Sequence, residues 1–314
     1  MVNQIRVNKK QDYIYGPVPS RRLGRSLGVD LVPFKTCTYD CIYCQLGRTT
    51  NRTTQREVWI PTDIVITQLK SKLYTKPDYI TISGSGEPTL FSTIGEIICK
   101  IKKVTDIPIA VLTNGSLLWL PEVRNSLMSA DLVLPSLDAG NDQLFRYVNR
   151  PYQDISFKRI LEGLIKFRDE YTGMYWLEVF LLSGVTTVET WVNELAHCIK
   201  MIGPDKVQVN TVTRPAVEDF AIPVPTNQLR AIANQLSEKA EIIVNHGIHE
   251  QYGISADLKD VLILLRRRPC SVDDIALGLG LHRNAVLKYI EQLCSQKQVQ
   301  VRHTTQGLFY KGMI

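Results

Sequence analysis

The residues with the clearest capacity for chemistry are Cys37, Cys41 and Cys44, set in the run Cys37-Thr38-Tyr39-Asp40-Cys41-Ile42-Tyr43-Cys44. Three thiolates spaced this closely can close around one soft metal centre, and thiolates are the ligands that hold iron–sulfur clusters. Zinc is the rival, but a structural zinc site wants four ligands, and no fourth Cys or His lies nearby in the sequence. A loop of three cysteines without a metal would be exposed to oxidation. On a four-iron cluster, three protein ligands leave one iron open to a substrate or cofactor, which points to chemistry rather than electron transfer alone. The chain holds seven cysteines, an odd number that fits a disulfide framework poorly and a reduced, cytoplasmic setting well.

The elements that position this loop alternate in kind. Strand candidates at 27–32, 79–83, 107–112, 132–137, 175–182 and 206–212 are short and almost continuously apolar, as strands covered on both faces should be. Helical patterns lie between and after them, at 62–73, 93–103, 121–129, 156–170, 188–201 and 226–239, the last with Thr226 in the N-cap place after Pro225. Strand–helix units in this number imply a parallel sheet with right-handed crossovers. A full eight-fold barrel takes about 250 residues, so a partial barrel or an open doubly wound sheet fits better. Residues 246–256 read as a linker, and the pattern then changes. A helix over 257–268 ends at Pro269, a second starts at Ser271 with Asp274 in the place that closes a capping box, and a third spans 282–296. A hairpin of 299–303 with 308–311 follows. Helix, helix, turn, helix and hairpin is the order of a winged helix-turn-helix.

Hydrophobic residues at 44% and charged residues at 22% describe an ordinary globular chain and exclude wholesale disorder or a fibre. The longest apolar runs, such as Val261–Leu265, are far short of the roughly 18–20 residues that cross a bilayer, so no membrane partner is expected. The N-terminal residues carry no apolar stretch of a secretory signal. The net charge of +6 is unevenly spread: residues 1–56 carry ten Lys/Arg against three Asp/Glu, and residues 254–314 carry nine against five, so a basic head and tail flank an acidic middle. That distribution admits an anionic partner.

With Tyr43 in the aromatic place, the cysteine loop resembles the C-x3-C-x-aromatic-C loop of the radical S-adenosylmethionine superfamily, and the resemblance extends over roughly residues 15–245. Ser83-Gly84-Ser85-Gly86-Glu87-Pro88 is similar to the Gly-Gly-Glu-Pro-like segment that follows the second strand in that family. The resemblance implies a [4Fe–4S] cluster on Cys37, Cys41 and Cys44, with S-adenosyl-L-methionine bound beside it. Gly84, Gly86 and Glu87 would meet the cofactor's methionine end, and Tyr43 would lie near its adenine. Asn114, Ser136 and Asp138 match polar positions that line the cofactor cleft, and Glu178 and Asn210 would point into the barrel mouth. The expected fold is therefore α/β, a partial (β/α)6 TIM-like barrel (residues 1–245) with a C-terminal winged helix-turn-helix domain (residues 257–314). The expected activity is reductive cleavage of S-adenosylmethionine to a 5′-deoxyadenosyl radical, fed by a low-potential electron donor.

The segment from Tyr15 to Asp30, with Pro-Val-Pro-Ser-Arg-Arg-Leu-Gly-Arg inside it, looks like a narrower branch of iron–sulfur oxidoreductases related to the wyosine tRNA-base synthases, as does Asn210–Pro215. Those synthases carry extra N-terminal cysteines, and none precedes Cys37 here. Arg21, Arg22 and Arg25 are candidate contacts for an anionic substrate such as RNA phosphate. His282, Arg283, Asn284 and Lys288 fall where a recognition helix presents its side chains. The leading substrate is RNA, most of all tRNA. A peptide or protein substrate, and an iron–sulfur redox-sensing DNA-binding regulator, are the competing readings. Cys99, Cys198, Cys270 and Cys294 are expected to be buried small hydrophobes.

Overall fold

The computed structural model describes residues 12–243, 256–304 and 307–313. The chain enters through an antiparallel hairpin of β1 (Ile14–Ser20) and β2 (Gly24–Val29). The loop after β2 is closed at its neck by a two-residue parallel pair, β3 (Thr36–Cys37) and β4 (Asn51–Arg52). Strands and helices then alternate: α1 (Thr62–Lys70), β5 (Tyr79–Ile82), α2 (Ile94–Lys102), β6 (Ile109–Thr113), α3 (Pro121–Leu127) and β7 (Leu132–Pro135). Next come α4 (Asp142–Asn149), α5 (Phe157–Glu170), β8 (Met174–Leu181), α6 (Glu189–Ile202), β9 (Lys206–Thr211), α7 (Thr226–Leu236) and β10 (Ala240–Ile242). The main sheet runs in the order β1-β2-β5-β6-β7-β8-β9-β10, and every pairing but the first is parallel. This α/β architecture with a mostly parallel sheet fits a partial barrel.

The six strands expected from apolar runs are present as β2 and β5 to β9, and one strand is added at each edge. β1 carries Pro17 and Pro19, which argue against a central strand but are accepted at an edge. β10 is only three residues, too short for a periodic signal. α4 was also not expected; Asn141 starts it by accepting the Leu144 amide at 2.8 Å. Pro225, not Thr226, occupies the N-cap of α7, and no side chain caps that helix.

Buried side chains of the strands, Ile80, Val111, Val133, Leu177 and Val209 among them, pack with Ile97, Ile98, Leu164, Phe167 and Ile199 of the covering helices in one continuous core. The chain after Ala256 forms α8 (Leu258–Arg267), α9 (Val272–Leu279), α10 (Arg283–Ser295) and the hairpin of β11 (Val299–Thr304) and β12 (Gly307–Gly312). Both capping boxes close, Asp257 with Asp260 and Ser271 with Asp274, so α8 and α9 start where their polar residues dictate. The core of this unit, including Val261, Leu265, Ile275 and Val286, also takes in Val18 of β1, so the unit is seated on the first hairpin. The expected linker at 246–256 lies outside the described residues except for Ala256. No helix among the described residues is long and apolar enough to cross a membrane.

Candidate active site

Strand alternation aims the site. Along β8, Tyr175, Leu177, Val179 and Leu181 are buried in the core, while Trp176, Glu178 and Phe180 are half-buried. Glu178 and Phe180 thereby reach a cavity of about 430 Å³ on the inner side of the sheet, a volume suited to a small ligand. Cys37, Tyr43 and Cys44 enter the same cavity from the loop after β2, Gly84 and Gly86 from the loop after β5, and Ser136 and Asn210 from the ends of β7 and β9.

Each cysteine sulfur has a nitrogen donor directed at it. Lys35 Nζ lies 3.1 Å from Cys44 Sγ, Asn114 Nδ2 3.5 Å from Cys37 Sγ, and Asn149 Nδ2 3.5 Å from Cys41 Sγ. Burial pushes the Cys37 thiol up to about 12, with the Glu87 charge adding. Burial also holds Cys41 well above the ordinary thiol range, with Asp138 adding. Without a metal these two sulfurs stay protonated at neutral pH, and a bound cation supplies the charge that makes them thiolates. Among the described residues no three His, Cys, Asp or Glu side chains gather as they would around a single ion. Thiols that stand apart suit a cluster whose irons take one sulfur each, and N–H groups aimed at the sulfurs are the support such ligands require. The residues present fit a [4Fe–4S] cluster.

The glycine segment lies hard against that loop. Gly84 has φ +145, and a Cβ there would strike the Asp30 carboxylate; a Cβ at Gly86 would overlap the Thr36 carbonyl. Ser85 O accepts the Lys35 amide at 2.8 Å, and the Glu87 amide donates to Thr36 O at 3.1 Å. Only residues without side chains let the two loops share this seam.

Glu87 departs from the expected cofactor contact. Its buried carboxylate accepts from Thr89 N (3.0 Å), Thr89 Oγ1 (2.6 Å), Thr113 Oγ1 (2.6 Å) and Asn114 N (2.7 Å), and it does not line the cavity. Burial raises its pKa while these bonds oppose the rise. Glu87 thus ties the loop after β5 to the loop after β6. Asn114 is held in turn and donates from Nδ2 to Thr38 Oγ1 at 2.8 Å. Asp138 is likewise set behind the cavity wall, where it accepts from Tyr43 Oη, from Asn149 Nδ2 at 2.7 Å and from Phe180 N at 3.1 Å. Burial pushes Asp138 up to about 6, the Glu178 charge adding and the hydrogen bonds opposing. Tyr43 stacks on Phe180 with ring centroids 4.0 Å apart and planes 10° from parallel. Tyr43, Gly84, Gly86, Ser136, Glu178 and Asn210 therefore face the cavity, and Glu87, Asn114 and Asp138 fix the wall behind it.

The arginines of the β1–β2 turn separate. Arg22 makes a two-pronged pair with Glu178 at 3.0 and 2.5 Å, and Arg21 Nη2 reaches Asn210 Oδ1 at 3.4 Å, so the turn is tied to β8 and β9 across the inner side of the sheet. Arg25 is not part of the cavity lining: its amide donates to Asp78 at 2.6 Å and its guanidinium to Thr75 O at 2.9 Å, near the start of β2. His282, Arg283, Asn284 and Lys288 are exposed at the start of α10. Two of them already have partners, since His282 caps the helix through Asn284 N and Arg283 pairs with Asp273.

Sequence reasoning missed Lys35, Asn149 and Phe180, and it did not bring Arg214, Arg267 and Arg268 to the cavity that they line. Lys35 stands two residues before Cys37, and that proximity was an available signal; the others come from distant segments. Of the four scattered cysteines, Cys198 and Cys270 are buried and Cys294 is partly buried. Cys99 is exposed, because α2 buries Ile94, Ile97, Ile98 and Ile101 and turns position 99 outward.

Comparison with known proteins places this site in a class. The family model of the radical SAM superfamily matches residues 31–192, just over half of the chain, and the chain belongs to that superfamily. Its members are enzymes that bind a [4Fe–4S] cluster and S-adenosylmethionine. A UPF0026 protein of Helicobacter pylori strain 26695 is 33% identical over 305 residues, covering 95% of this chain and 96% of that protein. A protein named GTPase Obg of Brachyspira hyodysenteriae is 36% identical over 304 residues, 95% of this chain, and this chain spans only 45% of that protein's length. Among solved structures, a radical SAM methyltransferase from Sphaerobacter thermophilus superposes with a TM-score of 0.52 at 16% identity, over 69% of this chain and 65% of that one, a likeness of fold.

Proposed function

We propose that this chain reductively cleaves S-adenosylmethionine and uses the product radical to modify an RNA substrate, most of all tRNA. One observation carries the catalytic part: three thiols, each met by a nitrogen donor, sit beside a cavity walled by the ends of parallel strands. When bound, a reduced cluster with S-adenosylmethionine supplies a 5′-deoxyadenosyl radical that takes a hydrogen atom from the substrate. The chain's own contributions are ligation, orientation and exclusion of water. Cys37, Cys41 and Cys44 hold the cluster, and Lys35, Asn114 and Asn149 donate to their sulfurs. The bare backbone at Gly84 and Gly86 and the side chains of Ser136, Glu178 and Asn210 border the cofactor. The Tyr43 ring, locked by Phe180 and Asp138, forms one fixed face of that space.

The RNA part rests on charge. Basic residues dominate both the head and the tail of the sequence. The order α8, α9, α10, β11, β12 is that of a winged helix-turn-helix, with exposed Asn284 and Lys288 on the helix in the recognition place. The test of catalysis is anaerobic reconstitution with iron and sulfide, addition of dithionite and S-adenosylmethionine, and measurement of 5′-deoxyadenosine by mass spectrometry. The expected result is product above the Cys41→Ala blank, and its absence with a verified cluster overturns the reading. Affinity for tRNA should fall steeply as salt rises, and no binding at about 50 mM salt, where phosphate contacts are strong, removes RNA as the substrate.

A further inference from the structure

We propose that Arg21, Arg214 and Arg268 together form a receptor for a phosphate group of the substrate, built at the seam between the sheet and the C-terminal unit. The inference rests on the reading of the cavity as the place where substrate is modified, and adds the chemical class of the group bound there.

The cavity is strongly biased in charge. Its lining includes Arg21, Arg22, Lys35, Arg214, Arg267 and Arg268, against Glu178. Several of these are balanced locally. Arg22 pairs with Glu178, Arg267 pairs with buried Asp30, and Arg214 Nη2 reaches Asp274 Oδ1 at 3.2 Å. Lys35 is turned to Cys44. Arg21 and Arg268 take part in none of the ion pairs among the described residues. The Nε atoms of Arg214 and Arg268 are buried with no hydrogen-bond partner. Unpartnered guanidinium nitrogens out of water are costly, and a bound anion or an ordered water is what completes them.

The three side chains also sense one another. Burial pushes Arg21 down to about 10, and the guanidiniums of Arg214, Arg22 and Arg268 push it the same way. Burial lowers Arg214 too, with Arg268 next in effect. Arg268 caps the C-terminus of α8, where a cation suits the helix dipole. The dipole explains neither its orphaned Nε nor the approach of Arg21 and Arg214 from the β1–β2 turn and the loop after β9. A planar guanidinium fork matches oxyanions, and a carboxylate is satisfied by one such fork. Three forks around one space match the several oxygens and greater charge of a phosphate. The receptor needs both parts of the chain, since Arg268 belongs to the C-terminal unit and Arg214 is steadied by Asp274 of α9.

The test uses the full chain with its cluster and isothermal titration with inorganic phosphate. Arg268→Gln and Arg21→Gln should each weaken phosphate binding by at least about tenfold, the loss of one charge-assisted hydrogen bond. Arg268→Lys, which keeps charge but loses the fork, should fall between. Acetate should bind much more weakly than phosphate, and in Arg268→Gln, which removes no contact to the residues bordering the cofactor, affinity for S-adenosylmethionine should stay within about twofold of wild type. A 5′-mononucleotide and a short RNA lacking terminal phosphates are then used as competitors, and the one that displaces phosphate names the source as a free monoester or an RNA diester. Phosphate binding indifferent to these substitutions, acetate binding as tightly, displacement by neither competitor, or weakened S-adenosylmethionine binding in place of weakened phosphate binding would each overturn the proposal. Phosphate binding that depends on these arginines in a chain that makes no 5′-deoxyadenosine would count against the catalytic reading alone.

Discussion

The two sides of the cavity are built on opposite principles. On the cysteine side the carboxylates and sulfurs have their partners, the buried Tyr39 hydroxyl being the exception: Glu87 accepts four hydrogen bonds, Asp138 accepts three, and each sulfur is met by a nitrogen donor. On the arginine side donors outnumber acceptors, and the Nε atoms of Arg214 and Arg268 have none. A saturated buried network fixes geometry and resists substitution, because removing one member strands the rest. An unsaturated one is completed by what binds. On the proposed reading, the difference separates the wall that holds the cofactor in place from the wall that receives a substrate.

The largest effect expected is on the cysteine side. Cys41→Ala should leave iron at background after anaerobic reconstitution, and a full complement of iron in that variant would move the cluster elsewhere. Glu87→Ala comes next. It strands four donors in a buried site, so urea unfolding should show a loss of about 4 kcal/mol, whereas Arg21→Gln should cost well under about 1 kcal/mol. Equal losses would erase the distinction between the two walls.

Between the two sides sits Arg267. It pairs with buried Asp30, donates to Ser85 Oγ at 3.1 Å and lies over the Tyr15 ring at 5.2 Å, so it ties α8 to the glycine segment. Arg267→Ala should cost roughly 3 kcal/mol, and Asp30→Asn in the same chain should recover part of that loss, because the stranded charge is then gone. A double variant no more stable than Arg267→Ala would show that the pair is not what joins them.

A smaller effect depends on pH. The folded carboxyl of Asp138 is raised to about 6 from an ordinary 3.8, so its contribution to stability is full below about pH 4 and is lost as pH rises through about 6. The unfolding free energy of wild type should therefore fall relative to Asp138→Asn between those values. A constant difference would mean that Asp138 titrates normally. Smallest of all, Arg283→Ala removes an exposed pair with Asp273 and should change stability by no more than about 0.5 kcal/mol.

Much of this was legible in the residues themselves. The cysteine loop, the glycine segment and the helix starts at Ser271 and Ser156 are local signals, decided by spacing within a few residues. The six buried strands announce themselves by runs of Val, Ile and Leu, since parallel strands are covered on both faces. β1 hid behind its prolines and β10 behind its shortness, as both sit at edges where the apolar signal is weak. The direction in which Glu87 and Asp138 face was not legible. A carboxylate near a cofactor segment reads the same whether it meets the ligand or pins the wall behind it.

The sequence by itself determined the chemistry available: three thiols at iron–sulfur spacing, an alternating β/α body, and helices with a hairpin at the C-terminus. Local spacing and periodicity carry that information because the interactions span only a few residues. Only the tertiary structure decided which groups share the cavity. Arg22 meets Glu178 across 156 residues and Arg267 meets Ser85 across 182, distances at which no sequence pattern registers. Burial then separated the two walls, leaving the Glu87 and Asp138 carboxylates of one fully bonded and the Nε atoms of Arg214 and Arg268 on the other without an acceptor.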